Sequence, residues 1–141
     1  MKLFLDANIL VSVLNKEYPL FTYTSRILSL SDAPGFDIYT SPVCLAIAFY
    51  FAEKKFKGKV AKEKIAVLCQ HIKITTTGSF SVKRALANNS IKDFEDGLQY
   101  YSALDSDCTC IITEDIQDFY FSEIEVLKSE RFFLKYLSKH K

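Results

Sequence analysis

The chain has 141 residues, of which 49% are hydrophobic and 25% charged, and its formal net charge is +1. This length suits one packed core, so we predict a single domain over residues 1–141. The near-zero charge excludes the class of strongly basic nucleic-acid-binding proteins, and the lack of a long apolar run or a signal-peptide pattern predicts a cytoplasmic protein with no membrane contact.

Short apolar runs alternate with helical patterns along the chain. The apolar runs predict strands over residues 2–5, 37–40, 72–75, 108–113 and 124–127. The helical patterns predict helices over residues 9–14, 20–30, 42–56, 61–71, 80–87 and 90–104, and a last helix that begins at Ser129. Short strands separated by helices are typical of βαβ units, so we predict an α/β fold with a central, mostly parallel sheet.

Local signals refine these boundaries. Ser41 and Pro42 are typical of an N-cap followed by proline at the first helical position. The helix that follows is apolar nearly all round, which predicts that it is buried, and Gly58 is predicted to end it. Ser90 is predicted to open a later helix, with Asp93 completing a capping box. The cysteines lack zinc-site spacing and are predicted to be small buried residues: Cys44, Cys69, Cys108 and Cys110.

Three aspartates fall where an open parallel sheet places its ligands, beyond the carboxyl ends of the strands. Asp6 directly follows the first strand, Asp115 lies just past the fourth, and Asp96 lies in the first turns of the helix leading into the fourth. Carboxylates are the ligands that hard divalent cations such as Mg²⁺ prefer, so the sequence predicts a metal site. Each acid also has a structural alternative: Asp6 as a helix cap, Asp96 as an exposed helical residue, and Asp115 as a turn residue.

Three segments carry a family resemblance over nearly the whole chain. The run LFLDANIL at residues 3–10 resembles the opening of PIN domains, DFEDGLQYYSA at residues 93–103 resembles their later acidic helix, and IITED at residues 111–115, followed by Asp118 and Phe119, resembles their last acidic strand and loop. The similarity is greatest to the VapC-like toxin branch. It implies a three-layer α/β/α fold and an RNA-cleaving enzyme that depends on Mg²⁺ or Mn²⁺, is often dimeric, and is often held inactive by an antitoxin protein.

The resemblance also implies roles for individual residues. Asp6, Asp96 and Asp115 would be the catalytic and metal-binding acids. Asn8 and Thr113 would be auxiliary residues that orient an acid or a water, although ordinary cap and strand-end hydrogen bonds are the alternative. Phosphate contacts by Lys54, Lys55 or Arg84 are a further hypothesis, since the lysine run can equally be a solvated helix face.

One family acid is missing from this chain. PIN domains usually have an acid, commonly Glu, early in the helix after the Ser-Pro cap, and Ile47 or a near neighbour occupies that place here. Glu53 lies about 240° around the helix from Ile47 and should not replace the acid. Asp93, one turn before Asp96, is the better predicted substitute, while Glu95 is turned about 100° from Asp96.

The missing acid leaves two rival hypotheses. One is a catalytically weakened PIN-like domain that binds a protein or RNA. The other is a phosphotransfer enzyme with Asp6 as the nucleophile. A haloacid-dehalogenase-like protein would need a second Asp where Asn8 stands, and a receiver-like domain would need acids before the strand, where Lys2 stands.

Overall fold

A computed structural model describes residues 1–138 of the chain. Residues 139–141, which the predicted domain includes, lie outside the described residues. Five parallel strands form the central sheet in the order β3-β2-β1-β4-β5. They are β1 (Lys2–Leu5), β2 (Asp37–Thr40), β3 (Lys73–Ile74), β4 (Cys110–Ile112) and β5 (Glu125–Leu127). The predicted parallel sheet is therefore confirmed, with strands at or inside the predicted ranges.

Helices cover the sheet. They are α1 (Ala7–Asn15), α2 (Phe21–Ser29), α3 (Pro42–Lys55), α4 (Gly58–Cys69), α5 (Ser79–Ala87), α6 (Phe94–Asp105) and α7 (Ser129–Phe132), with short 3₁₀ turns at Leu30–Asp32 and Ile116–Phe119 and a π-helical turn at Phe133–Leu137. Helix α1 packs against α2 and α3, α3 also packs against α4, and α5 packs against α6. None of the helices in residues 1–138 is long and apolar enough to cross a membrane.

The central strands are buried on both faces. Leu3, Phe4 and Leu5 in β1, and Ile111 and Ile112 in β4, are fully buried. Because successive side chains of a strand point to opposite faces, this pattern requires a helical layer on each side of the sheet. The three-layer α/β/α prediction is confirmed.

Helix α3 departs from its predicted burial. Ser41 caps it as predicted, since its hydroxyl accepts a hydrogen bond from the backbone nitrogen of Cys44 at 3.0 Å. Only a stripe of small residues at i, i+4 and i+8 is buried, namely Cys44, Ala48 and Ala52, because small side chains permit close packing against the neighbouring helix. The large aromatic residues Tyr50 and Phe51 remain 54% and 43% exposed, so the prediction of a fully buried helix is wrong.

Two predicted boundary signals are wrong. Helix α3 ends at Lys55 with Phe56 as its C-cap, close to the predicted end, but Gly58 is the first residue of α4 and is not the residue that ends α3. Helix α6 begins at Phe94 with Asp93 as its N-cap, so Ser90 lies in the preceding turn and the predicted capping box does not form. Asp93 makes the cap itself by accepting hydrogen bonds from the backbone nitrogens of Glu95 and Asp96.

The chain reverses its direction of winding between β1 and β4. From β1 the connections lead to β2 and β3 on one side of the sheet, whereas from β4 the chain continues to β5 on the other side. The crevice outside the carboxyl ends of two such strands is where open α/β sheets bind ligands. Asp6 follows β1 and Asp115 follows β4, so both border this crevice.

Candidate active site

An acidic cleft of about 450 Å³ opens at the carboxyl edge of β1 and β4. Its acidic lining consists of Asp6, Glu17, Glu95, Asp96, Glu114, Asp115 and Asp118. Asn8 and five apolar residues complete the lining: Ala7, Val11, Leu20, Ile47 and Phe51. No Lys, Arg or His belongs to this lining within residues 1–138. The cleft therefore concentrates negative charge that the protein itself does not neutralise.

Asp6 both caps a helix and lines the cleft. Its Oδ1 accepts a hydrogen bond from the backbone nitrogen of Ala7 at 2.8 Å, and its Oδ2 accepts one from the Thr113 hydroxyl at 2.8 Å. The Cys44 thiol lies 3.7 Å from Oδ1 as a weak donor. Burial raises the pKa of Asp6, as does the charge of Asp115 to a smaller degree, and these hydrogen bonds oppose the rise. Both carboxylate oxygens already accept hydrogen bonds, so Asp6 is a poor candidate for the nucleophile of a phosphotransfer enzyme.

Thr113 and Asn8 connect the ends of β1 and β4. The Thr113 hydroxyl accepts a hydrogen bond from the backbone nitrogen of Asp115 at 3.0 Å and from Asn8 Nδ2 at 3.1 Å. Asn8 Nδ2 also lies 3.2 Å from Asp115 Oδ2, and Asn8 Oδ1 accepts from the backbone nitrogen of Glu114 at 3.1 Å. These two residues therefore link Asp6 and Asp115 by hydrogen bonds, and their auxiliary role in the reaction stays a prediction.

Asp96 enters the cleft from the first turn of α6. Its pKa is raised to about 7, mainly by burial and then by the negative charges of Asp93, Asp118, Asp6 and Glu95, in that order. Every one of these causes disfavours the carboxylate. Near neutral pH the side chain therefore exchanges its proton readily, and a cation in the cleft would favour its ionised form.

Glu95 shares the cleft with Asp96. Burial raises its pKa, followed by the charges of Asp93, Asp6 and Asp118. A turn of about 100° from Asp96 predicts only a marginal place for Glu95 in the site. In the structure, however, the side chains of both Glu95 and Asp96 line the cleft. Glu17, Glu114 and Asp118 also line it and were not predicted as site residues. Glu114 and Asp118 lie in or directly after the IITED segment that resembles PIN domains, and this resemblance is the sequence signal for them. Nothing in the local sequence marks Glu17.

The position of the missing acid faces the cleft. Ile47 is a lining residue, so an apolar side chain occupies the wall where the family acid was expected. Glu53 does not line the cleft, in agreement with its predicted rotation around the helix. Asp93, the predicted substitute, is not a lining residue either, because its carboxylate is used to cap α6. Its influence on the site is electrostatic.

The donor chemistry of the cleft fits a hard divalent cation. Carboxylate oxygens dominate, the described residues contribute no Cys or His to the lining, and the mutual repulsion of the acids would be relieved by positive charge. No three His, Cys, Asp or Glu side chains in residues 1–138 come together as a ready set of direct ligands. A hard divalent cation in this cleft would therefore be held by few direct carboxylate contacts and partly through water.

Comparison with known proteins agrees with this geometry. The PIN domain family model matches residues 2–117. Ribonuclease VapC1 from Aquifex aeolicus is 29% identical over 135 residues, which cover 93% of this chain and 92% of that protein.

Solved structures share the fold. VapBC-1 from nontypeable Haemophilus influenzae matches with a TM-score of 0.70 at 15% identity, covering 92% of this chain and 99% of that one. Mycobacterium tuberculosis VapC20, described as a Sarcin-Ricin loop cleaving toxin, matches with a TM-score of 0.65 at 13% identity, covering 87% of this chain and 98% of that one. The predicted resemblance is confirmed, and the chain belongs to the PIN domain family.

Proposed function

We propose that this protein is a divalent-metal-dependent endoribonuclease that uses Mg²⁺ or Mn²⁺. The observation that carries the proposal is the acidic cleft itself, in which Asp6, Asp96 and Asp115 from three distant segments share one lining at the sheet edge. The name of the Aquifex relative, a ribonuclease, supports RNA as the substrate class.

Asp6, Asp96 and Asp115 would hold the metal, in part through water. When bound, a divalent cation supplies charge neutralisation at a phosphodiester and a lowered pKa for a coordinated water. Thr113 and Asn8 keep Asp6 and Asp115 oriented through the hydrogen bonds at the ends of β1 and β4. The pKa of Asp96 is raised in the metal-free protein, so metal binding should be coupled to release of its proton near neutral pH.

A cleavage assay with purified protein tests the proposal. Wild type should cleave single-stranded RNA with Mn²⁺ or Mg²⁺, and EDTA should stop the reaction. Asp96→Asn should lose about 100-fold in rate, the upper end of the loss typical of removing a group that supports a metal site. Asp107→Asn is the matched control, because Asp107 is exposed and does not line the cleft. Equal cleavage by wild type and Asp96→Asn would indicate a contaminating nuclease and refute the assignment.

We further propose that the protein is the toxin of a toxin–antitoxin pair in the cytoplasm and that it forms a homodimer. The similarity in fold to the VapBC-1 structure supports a dedicated protein partner. Co-expression with the product of an adjacent small gene tests this idea, since a stable complex should copurify and suppress cleavage. Sedimentation of the isolated chain tests the dimer.

A second candidate function is a catalytically weakened PIN-like domain that binds RNA or protein. The specific observation in its favour is Ile47, an apolar residue on the cleft wall where the family has an acid. RNA binding without metal-dependent cleavage by the wild type would support this alternative.

A further inference from the structure

Helix α3 exposes an aromatic pair beside the acidic cleft. Tyr50 and Phe51 are 54% and 43% exposed, and their ring centroids lie 5.3 Å apart in an edge-to-face arrangement. Helix α3 is anchored by the buried stripe of Cys44, Ala48 and Ala52, and neither Tyr50 nor Phe51 belongs to that stripe. What sets this pair apart from other exposed rings is that its two members contact each other beside a cleft, as apolar residues of ligand-binding grooves do.

The pair is continuous with the cleft wall. Phe51 lines the cleft, one helical turn after Ile47, which lines it too. The ammonium group of Lys54 lies 4.3 Å from the ring centroid of Tyr50 and 5.5 Å from that of Phe51. Lys54 takes part in none of the ion pairs found within residues 1–138, so its charge is available to a ligand. Together these residues place two apolar rings, set edge to face, and a cation at the rim of a site that is otherwise anionic.

The aromatic pair and Lys54 could supply the RNA-binding free energy that the acidic cleft lacks. An RNA strand carries one negative charge per phosphate, and the cleft lining contributes acids without any Lys, Arg or His. A metal offsets repulsion only at the phosphate that it contacts. The remaining binding free energy must come from groups beside the cleft, and proteins that bind single strands obtain it from bases stacked on aromatic rings and from cations that contact the backbone.

We propose that Phe51 and Tyr50 form a stacking platform for an unpaired RNA base next to the reacting phosphate, and that Lys54 contacts a phosphate of the same strand. The inference rests on the proposed ribonuclease function and names how the substrate is held. Phe51 lines the cleft, so its ring is the one that stacks on the base. Tyr50 packs edge to face against Phe51 and holds the Lys54 ammonium group above its own ring.

The chain supplies a matched control for this surface. Phe80 on α5 is 64% exposed, and the Arg84 guanidinium lies 4.7 Å from its ring centroid, four residues later. This pair repeats the aromatic–cation arrangement of Tyr50 and Lys54. Phe80 does not line the cleft, and Arg84 is paired with Asp105 at 3.0 Å. A general effect of deleting an exposed ring should therefore appear equally in Phe80→Ala.

The test is RNA binding by the full chain in the Asp96→Asn background with Ca²⁺, so that cleavage does not interfere. The probe is a short unstructured RNA with a terminal fluorophore, and a second probe carries a fluorescent adenine analogue. Phe51→Ala should weaken binding by roughly 5- to 100-fold, the range typical of losing one stacked base, and should abolish the emission change of the adenine analogue. Lys54→Gln should reduce the salt dependence of binding by about one phosphate contact. Phe80→Ala should match the parent, and thermal unfolding should verify that every variant folds.

An abasic RNA separates stacking from other effects. Phe51→Ala and its parent should bind it equally weakly, because the abasic strand has no base to stack. Unchanged RNA affinity in Phe51→Ala would overturn the proposal. If the variant instead lost antitoxin binding or changed its oligomeric state in sedimentation, the surface would be a protein interface.

Failure of the platform and failure of the nuclease assignment give different results. Cleavage by an otherwise wild-type chain carrying Phe51→Ala with an unchanged KM would refute the platform and leave the nuclease function intact. Absence of cleavage by the wild type, together with Phe51-dependent RNA binding, would refute the nuclease function and leave the platform intact. Absence of both would refute both.

Discussion

Replacing Asp96 with asparagine should make the metal-free protein more stable at alkaline pH while removing metal-dependent cleavage. Burial first, and then the charges of Asp93, Asp118, Asp6 and Glu95, raise the pKa of Asp96 from its ordinary value of 3.8 to about 7. The carboxylate is thus disfavoured in the folded state alone. Below pH 3.8 the side chain is protonated in both states and costs nothing, and the wild type loses stability as the pH rises from there through about 7. Asparagine does not ionise, so the variant keeps this stability as the pH rises.

The magnitude follows from the size of the rise. At about 1.4 kcal/mol per pKa unit, the penalty above pH 7 is at most about 4 kcal/mol. Asp96 is partly exposed, and water screens its interactions, so we expect about 1–2 kcal/mol. Loss of the attraction between the carboxylate and the N-terminus of α6 subtracts about 0.5 kcal/mol. A net gain of about 1 kcal/mol should raise Tm by about 3–5 °C in a chain of this size.

Thermal unfolding in EDTA, at several pH values from about 4 to about 8, measures this gain. The difference between Asp96→Asn and wild type should be small in acid and should grow toward alkaline pH. Asp107→Asn is again the matched control, because Asp107 is exposed and asparagine tolerates its left-handed backbone, with φ of 61°. A difference that is the same at both ends of the pH range would refute the reasoning, since it could not come from the charge of Asp96.

Three other substitutions test the parts of the site separately. Thr113→Val removes the hydroxyl bonded to Asp6, so it should lower the free energy of unfolding by about 1–3 kcal/mol and weaken Mn²⁺ binding in calorimetry. Thr113→Ser should restore both. Normal Mn²⁺ affinity in the valine variant would contradict this role. Ile47→Glu should lower the stability of the metal-free protein and tighten Mn²⁺ binding, whereas no change in either would show that residue 47 does not act on the metal site. Asp93→Asn should keep the N-cap of α6 and lower the pKa of Asp96 in a carboxyl NMR titration, and an unmoved Asp96 titration would count against the repulsion between them.

The sheet and most helices could be predicted because their signals are local. The apolar runs that became β1 and β4 are buried on both faces, so they read as continuous hydrophobic segments. Ser41 and Pro42 marked the start of α3 for a similarly local reason. The boundary at Ser90 failed because Asp93, a residue of equal capping strength, competes for the same helix start, and only packing of the turn selects between them.

The burial of α3 was beyond sequence reasoning. A helix that is apolar nearly all round offers several possible faces to the core, and composition favours the large side chains. The structure instead packs the small residues Cys44, Ala48 and Ala52 inward, which leaves Tyr50 and Phe51 at the surface. The choice depends on how closely the neighbouring helix α1 approaches, and no pattern within α3 encodes that distance.

For the site, the sequence by itself determined which acids follow the strands of a parallel sheet, and therefore that Asp6 and Asp115 would meet at one edge. Only the tertiary structure decided the rest of the cleft: that Glu95 reaches it with Asp96, that Asp93 is used as a cap, and that Ile47 fills the wall where an acid was expected. The physical reason is that strand order and direction follow from connectivity, whereas the rotation of a helix about its axis is set by the side chains packed beneath it.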